Sequence, residues 1–125
     1  MKRPGPLARR TPLVRTGRLR PRSAKRAAKA RDFAPVRAAV FARDGHRCQA
    51  EAHARNVITT LVGDTFPLSL PDDWPQCWSE LHPHHLNEQG AGGSDDPENL
   101  LTVCAAHHRW IHDHPTLAKQ MDLLR

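Results

Sequence analysis

The spacing of apolar positions predicts one clear helix in the first half of the chain. Over residues 35–44, Val36, Val40 and Phe41 recur at helical spacing and define an apolar face. The segment opens with a proline, which suits a first helical position, and Gly45 is typical of the residue that follows a helix. We therefore predict a helix that begins at the proline and ends before the glycine.

Shorter apolar runs predict an α+β body in the second half of the chain. The predicted strands cover residues 56–62, 79–86 and 100–103, and the predicted helices cover residues 105–113 and 117–124. Pro83 indicates an edge strand or a strand end, and Pro115 stops the first of these helices. In the last helix, Leu117, Met121 and Leu124 are predicted to pack on the body.

Charge divides the chain into a basic arm, residues 1–31, and a body, residues 32–125. The arm contains 12 Lys or Arg and no acidic residue, whereas the body carries a net charge of −6. This asymmetry is typical of proteins that bind a polyanion, although a solubilising tail would have a similar composition. We predict a disordered, extended stretch over 1–21 and helical composition over 23–31. The predicted DNA-binding residues are Arg9, Arg10, Arg15, Arg18, Arg20, Arg22, Lys25 and Arg26.

The composition also indicates the compartment and a role for metal. No apolar stretch is long enough to cross a membrane, and the basic N-terminus lacks the apolar core of a signal peptide. We therefore expect a cytoplasmic protein whose cysteines stay reduced. The chain contains three cysteines and nine histidines, and this excess in a reducing compartment favours metal binding.

One candidate metal site uses every cysteine in the chain. Cys104 and His107 are separated by two residues, a spacing that allows both side chains to reach one zinc ion. Cys48 and Cys77 would complete a Cys3His set, which is closed to further ligands and therefore structural. Such a zinc ion would stabilise a chain with a small core. The alternative is that the three thiols are unrelated buried groups.

A second candidate site consists of His84, His108 and His112. The last two are four residues apart, so a helix places them on one face. Three imidazoles leave coordination positions open for water and a phosphate oxygen, as in catalytic sites. The expected ligand is one divalent cation, either Mg²⁺, Mn²⁺, Ni²⁺ or Zn²⁺. Two alternatives remain: the histidines share a single zinc ion, or some of them are surface residues.

These residues resemble the motif of the HNH endonuclease family, in particular the small nucleases of bacteriophages. The resemblance covers residues 81–86, 92–100, 103–108 and His112, with a lead-in at residues 43–48. It implies an α+β fold with a ββα-metal (HNH, or His-Me finger) core, flanking helices and a zinc staple behind the basic arm. It further implies a nuclease that nicks or cleaves DNA in the host cytoplasm, with phage terminase as a partner in DNA packaging.

The resemblance also implies a role for each site residue. His85 corresponds to the general base, and Asn99 to the residue whose amide holds the loop over the base or contacts the metal. His84, His108 and His112 correspond to cation ligands. Cys104 and His107 fall where relatives carry a zinc-binding Cys-x-x-Cys.

Two features depart from the family pattern. Glu51 stands where relatives have a second cysteine, so Cys77 would have to serve across an apparent insertion at 49–76 with little chemistry of its own. His107 also stands where relatives have a cysteine. His53 or His46 could replace Cys77 in the zinc site.

The sequence alone leaves several questions open. Adjacent residues on a strand point to opposite faces, so His84 and His85 can share a site only if the strand ends there. The rival pair is His82 with His84, which lie on one face. The alternative function is a non-catalytic, zinc-stabilised module that binds nucleic acid. The sequence determines neither the oligomeric state nor the cutting pattern.

Overall fold

The computed structural model describes residues 23–62 and 69–125. The order of elements is α1 (Ala24–Arg43), α2 (Ala50–Val62), β1 (Leu81–His85), β2 (Leu100–Cys104), α3 (Ala105–Asp113) and α4 (Pro115–Gln120). Single 3-10 turns at Gln89–Ala91 and Pro97–Asn99 lie between the strands. The predicted α+β class is therefore confirmed. None of the helices in the described ranges combines the length and apolar character needed to cross a membrane.

The sheet is a single antiparallel hairpin that leads directly into α3. Leu81 pairs with Cys104 at one end and His85 pairs with Leu100 at the other. The predicted order of strand, loop, strand and helix is confirmed. Pro83 lies in the middle of β1, where its missing N–H needs no partner because a two-stranded sheet leaves one edge of β1 free.

Helix α1 begins eleven residues earlier than the predicted start at Pro35. The Ser23 side chain accepts a hydrogen bond from the backbone N–H of Arg26 at 3.4 Å and caps the helix. The segment whose composition favours a helix is helical from Ala24 onward, and α1 continues through the boundary drawn between arm and body. Pro35 is tolerated inside α1 because it is exposed, so the carbonyl of Arg31 that loses its helical partner can bond to water.

The strand predicted over residues 56–62 is wrong, because these residues form the second half of α2. Ala50, Ala54 and Ile58 recur every four residues and pack against the core from one face of this helix. Two threonine hydroxyls in the helix donate to carbonyls one turn back. Tertiary burial of this face thus overrides the strand preference of the β-branched side chains.

The last helix is also displaced from its predicted position over residues 117–124. Pro115 begins α4 rather than only ending α3, because proline fits the first turn, where its missing N–H has no helical partner. Met121 and Leu124 are buried, as predicted, but they lie beyond the end of α4. The predicted packing of Leu117 is wrong, since this side chain is 37% exposed.

The hydrophobic core lies between the hairpin, α2, α3 and the C-terminal turn. Val103, Ile111 and Leu123 are fully buried at its centre. The segment 49–76 supplies part of this core through α2 and through Trp74, which packs on its edge. The interpretation of this segment as an insertion therefore understates its contribution to packing, although residues 63–68 lie outside the described part of the chain.

A polar network joins the end of α1 to β2. The Asp44 carboxylate accepts hydrogen bonds from the Arg43 guanidinium, at 2.7 and 2.9 Å, and from the backbone N–H of Thr102 at 2.9 Å. Arg43 also donates to the carbonyls of Pro97 and Leu100, each at 2.8 Å. Burial alone would raise the pKa of Asp44, but the bonds from Arg43 and Thr102 outweigh it and hold the pKa below its usual value.

We predict that Asp44→Ala lowers the free energy of unfolding by about 1.5–3 kcal/mol, because it leaves a buried N–H and a guanidinium without their charged partner. Since the folded pKa of Asp44 is depressed, its contribution is complete above the unfolded pKa, near 3.9, and is lost as pH falls through the folded value. Urea unfolding at neutral and acidic pH measures both effects. The exposed Asp113 provides the matched control, and an equal loss in Asp113→Ala would contradict the role of the network.

Candidate metal centres and active site

The junction of β2 and α3 positions most of the candidate ligands. Cys104 is the last residue of β2 and the N-cap of α3, and its Sγ accepts the backbone N–H of His107 at 3.5 Å. This cap fixes the first turn of α3 and places the Cys104 and His107 side chains next to each other. His108 and His112 follow on an adjacent face of the same helix.

The structure brings together the four residues predicted for the structural zinc site. The Nδ1 atom of His107 lies 3.6 Å from Cys48 Sγ, 3.5 Å from Cys77 Sγ and 3.0 Å from Cys104 Sγ. A tetrahedral zinc ion with ordinary Zn–S and Zn–N bonds separates the nitrogen from each sulfur by about 3.5 Å. The four ligand atoms lie within 4.8 Å of one another, so this Cys3His group can hold a metal ion.

Neither histidine considered in place of Cys77 joins this group. The Nε2 atom of His53 lies 3.0 Å from the carbonyl of Asp122, near the C-terminus. His46 is exposed and presents its ring to the edge of Phe41. The loop after α1 and the segment before β1 therefore each deliver one cysteine to the first turn of α3.

The donor set is suited to a cation that prefers thiolates. Burial raises the pKa of Cys48, and burial together with the neighbouring Cys48 thiol raises the pKa of Cys77 to about 12. Burial also acts to raise the pKa of Cys104, but the His107 N–H and other hydrogen bonds outweigh it and lower the pKa. Three thiolates this close repel one another, and a zinc ion would relieve that repulsion.

An aromatic side chain closes the Cys3His group on one side. The ring of Trp74 packs on the His107 ring at 4.8 Å between centroids and on Trp110 at the same distance. His107 Nε2 is buried and has no hydrogen-bond partner among the described residues. With Nδ1 bound to a metal ion, Nε2 would carry the proton. The site is thus closed on this side, as expected of a structural site.

The three histidines predicted for the second cation also converge. Ring centroids are 5.4 Å apart for His84 and His108, 5.6 Å for His84 and His112, and 4.7 Å for His108 and His112. One nitrogen from each ring lies within 4.8 Å of the others. Burial is the main cause that lowers the pKa of His84, and it lowers that of His108 to about 4. Both imidazoles are therefore neutral at pH 7, as ligands must be.

The surroundings of the three-histidine group leave one side open. His84 is buried, and its Nε2–H donates to the carbonyl of Leu123 at 2.7 Å, which leaves Nδ1 free to bind a cation. The His112 side chain is 41% exposed, and its Nδ1 lies 3.3 Å from Glu88 Oε1. The group therefore has a buried, oriented ligand at one end and a solvent-accessible ligand at the other.

His82 lies beside this group without joining it. It shares a face of β1 with His84, and its ring stacks on His108 at 5.8 Å between centroids. Its nitrogens are not among those that converge within 4.8 Å. The rival pair of His82 and His84 thus shares a face as predicted, but only His84 belongs to the converging set.

His85 faces the opposite side of β1, towards α1. Its Nε2 lies 2.8 Å from Asp95 Oδ1, and its ring lies nearly parallel to that of Phe33, with 6.1 Å between centroids and 18° between planes. The adjacent His84 ring contacts α3. The two rings therefore make different contacts, because side chains alternate along β1, and His85 is the last residue of this strand.

Asn99 holds the loop that carries Asp95. Its Oδ1 accepts the backbone N–H of Asn87 at 2.8 Å, and its Nδ2 donates to the carbonyls of Asn87 and Ser94 at 3.0 and 2.8 Å. A side chain at Gly93 would collide with the backbone of Asn87, so only glycine allows this closure. Among the two roles considered for Asn99, the described contacts are those of loop closure.

Several side chains in these sites were not predicted from the sequence. Asp95 belongs to the Gly-Gly-Ser-Asp-Asp run, and a carboxylate after a tight glycine turn was the available signal. Phe33 was missed because the predicted helix began after it. Trp74 was missed because it lies in the segment assigned no chemistry.

The predicted DNA-binding residues fall into two groups. Lys25 and Arg26 are exposed in the first turn of α1, which contains no acidic residue. The remaining six, from Arg9 to Arg22, lie outside the described residues.

Comparisons of the chain with protein-family models, with curated proteins and with solved structures found no match. The resemblance to HNH endonucleases therefore stays a prediction from the motif residues. The function has to be argued from the geometry of the site.

We predict two metal ions per chain, with distinct ligand sets. Protein saturated with zinc and then desalted should contain two equivalents by elemental analysis. Cys77→Ser and His112→Ala should each lose about one equivalent, because each removes one of the ligands of a different site. Cys77→Ser should lose more thermal stability than His112→Ala, since a closed set of four ligands binds its ion more tightly, and an ion at a thousandfold excess over its Kd contributes about 4 kcal/mol.

His114→Ala provides the control for these variants, because His114 lies at the end of α3 and pairs with Asp73 outside both groups. Two equivalents retained by Cys77→Ser and His112→Ala alike would contradict the assignment of ligands.

Proposed function

We propose that the chain is a metal-dependent endonuclease of the HNH type that hydrolyses phosphodiester bonds in DNA. The observation that carries the proposal is the pairing of two features on consecutive residues of β1. His84 belongs to an open group of three imidazoles, and His85 belongs to a histidine–carboxylate pair. A site that only stabilises the fold requires neither an open cation position nor an oriented imidazole.

The side chain of His85 is arranged to accept a proton. Its Nε2–H donates to Asp95, so Nδ1 carries the lone pair that can take a proton from water. The Asp95 carboxylate then stabilises the imidazolium that results, as the carboxylate does in hydrolytic triads. Asn99 contributes by holding the loop of Asp95 in place.

His84, His108 and His112 would hold the divalent cation of this reaction. A cation there supplies charge relief to the phosphate oxygens and to the leaving oxygen. Imidazoles suit Zn²⁺, Ni²⁺ and Mn²⁺ better than Mg²⁺. The fixed Nε2–H of His84 and the exposure of His112 suit a site that keeps positions open for substrate. The Cys3His group would bind a separate, structural zinc ion.

Basic residues near the N-terminus would supply affinity for DNA. Cations in the first turn of a helix are disfavoured by the helix dipole, so Lys25 and Arg26 are placed for a ligand rather than for stability. Residues 1–22 add eight further Lys or Arg. Basic side chains of this kind bind DNA of any sequence, so other residues of the nuclease would set the position of the cut.

A zinc-stabilised binding module without turnover is the second candidate. The observation that favours it is the closed Cys3His group under Trp74. It accounts for the basic helix and the stapled fold, but not for the open imidazole group or the pair of His85 with Asp95. A role with phage terminase in DNA packaging rests on the motif resemblance alone.

We predict that His85→Ala abolishes cutting and leaves folding and DNA binding intact. Loss of a general base lowers the rate by about 10²–10⁴-fold. The measurement is conversion of supercoiled plasmid to nicked or linear forms by protein that carries one equivalent of zinc, with Mg²⁺, Mn²⁺ or Ni²⁺ added. His46→Asn is the control, because His46 is exposed, has a positive φ that asparagine tolerates, and lies outside both groups.

Cutting by His85→Ala at the parent rate would contradict the assigned base. Cutting by neither protein with any cation, while both still bind DNA, would favour the binding module.

We predict that deletion of residues 1–22 weakens DNA binding and flattens its dependence on salt, while α1 stays whole. For each DNA phosphate that the truncated protein no longer neutralises, the slope of log K against log salt concentration falls by about 0.9. Fluorescence anisotropy of a labelled duplex between low and moderate salt measures the slope. The same affinity and slope in the truncated protein would contradict a binding role for these residues.

A further inference from the structure

A pocket of about 420 Å³ lies next to the proposed base and is not used by the reaction described above. Arg26, Lys29 and Phe33 line it from α1, and His85 and Asp95 line it from the hairpin side. This volume falls in the ordinary range for small-molecule sites. The pocket therefore places one face of α1 directly beside the reacting residues.

The residues from α1 form one continuous stripe. Arg26, Lys29 and Phe33 are spaced three and four residues apart, which aligns them on one face of the helix. Within the described ranges neither cation takes part in an ion pair, and Lys29 makes only a long hydrogen bond, 3.4 Å, to Gln89 Oε1. The two cations outnumber the single carboxylate of the pocket, Asp95, and the remaining positive charge favours an anionic ligand.

Phe33 gives the pocket an aromatic wall that the core does not need. Phe33 is only half-buried and does not belong to the hydrophobic core. Val40 is the residue of α1 that is fully buried. The Phe33 ring lies nearly parallel to the His85 ring, with 18° between the planes. An aromatic face beside unpaired cations is the composition of sites that stack a nucleobase and hold its phosphate.

We propose that this pocket binds an unpaired nucleotide of the substrate strand, next to the phosphate that is cut. The base stacks on Phe33, and Arg26 and Lys29 bind its phosphate. The one carboxylate in the pocket, Asp95, accepts hydrogen bonds from His85 and from Gln89 on its Oδ1, which partly offsets its charge. The placement of this nucleotide next to the cut phosphate rests on the proposed function. The binding of an unpaired nucleotide in the pocket does not.

The proposal defines a substrate class. A base inside a duplex is stacked on both sides and cannot reach a side chain, so the nucleotide must be unpaired or extruded. DNA with single-stranded, flapped or mismatched nucleotides is therefore preferred over an intact duplex.

The test compares binding of a labelled single-stranded DNA oligonucleotide with binding of the same sequence as a duplex. Full-length protein that carries one equivalent of zinc is used without further divalent cation, so that affinity is measured apart from cutting. Phe33→Leu, which keeps apolar bulk but removes the flat ring, should weaken single-strand binding at least about fivefold. Duplex binding should stay near the parent value, and Phe33→Trp should restore the single-strand affinity.

Two matched controls separate stacking and charge from helix stability. Phe41→Leu changes the other half-buried phenylalanine near the end of α1, which contacts Arg37 and His46 rather than His85. Arg26→Ala is compared with Arg31→Ala, since Arg31 lies outside the pocket on the same helix. The expected result is a loss of single-strand affinity in the pocket variants alone.

The proposal is overturned if Phe33→Leu and Phe41→Leu have the same effect, or if Phe33→Leu weakens both forms of DNA equally. It is also overturned if single-stranded RNA of the same sequence binds much more tightly than DNA. If the parent protein never cuts DNA but Phe33→Leu loses single-strand binding, the result supports the nucleotide pocket and contradicts the proposed nuclease activity. If the parent protein cuts DNA and its substrate preference is unchanged in Phe33→Leu, the result supports the nuclease activity and contradicts the nucleotide pocket.

Discussion

The rest of the structure depends on the double role of Cys104 at the joint between β2 and α3. As the last strand residue it pairs with Leu81, and as the helix cap it accepts the N–H of His107. Its Sγ also belongs to the Cys3His group, which connects this joint to the loop after α1 and to the segment before β1. A metal ion held there would fix the direction of α3 relative to the hairpin, and with it the positions of His108 and His112.

Because side chains alternate along β1, the proposed cation ligand and the proposed base make contacts on different sides of the hairpin. His84 points to α3 and joins the group of three imidazoles, whereas His85 points to α1 and pairs with Asp95. Placing the two histidines on consecutive residues keeps them close in the chain while giving them different surroundings. One is buried and held by the carbonyl of Leu123, which suits a ligand. The other borders a pocket, which suits a group that meets substrate.

The sequence predicted the hairpin, α3 and the ligand pairs on α3 from local spacing, whereas Cys48 and Cys77 were assigned because they are the remaining cysteines of the chain. Cys104 with His107, and His108 with His112, are set by helical geometry once α3 is recognised. The errors occur where tertiary contacts decide. Residues 56–62 have strand propensity but bury a helical face, and Pro35 lies inside α1 because its exposed side leaves water to replace the missing bond. The contact between His85 and Asp95 depends on loop closure by Asn99 and Gly93, which no spacing rule expresses.

A cation titration of plasmid cutting by protein that carries one equivalent of zinc, in the parent and in His112→Ala, tests the role of the three-histidine group most directly. In the parent, we expect the rate of plasmid cutting to rise with added Mn²⁺ or Ni²⁺ until it saturates. Because the variant lacks one ligand, half-saturation should require at least about tenfold more cation, or cutting should vanish. Identical titration curves for the two proteins, or cutting that needs no cation beyond the structural zinc, would contradict a catalytic role for the three-histidine group.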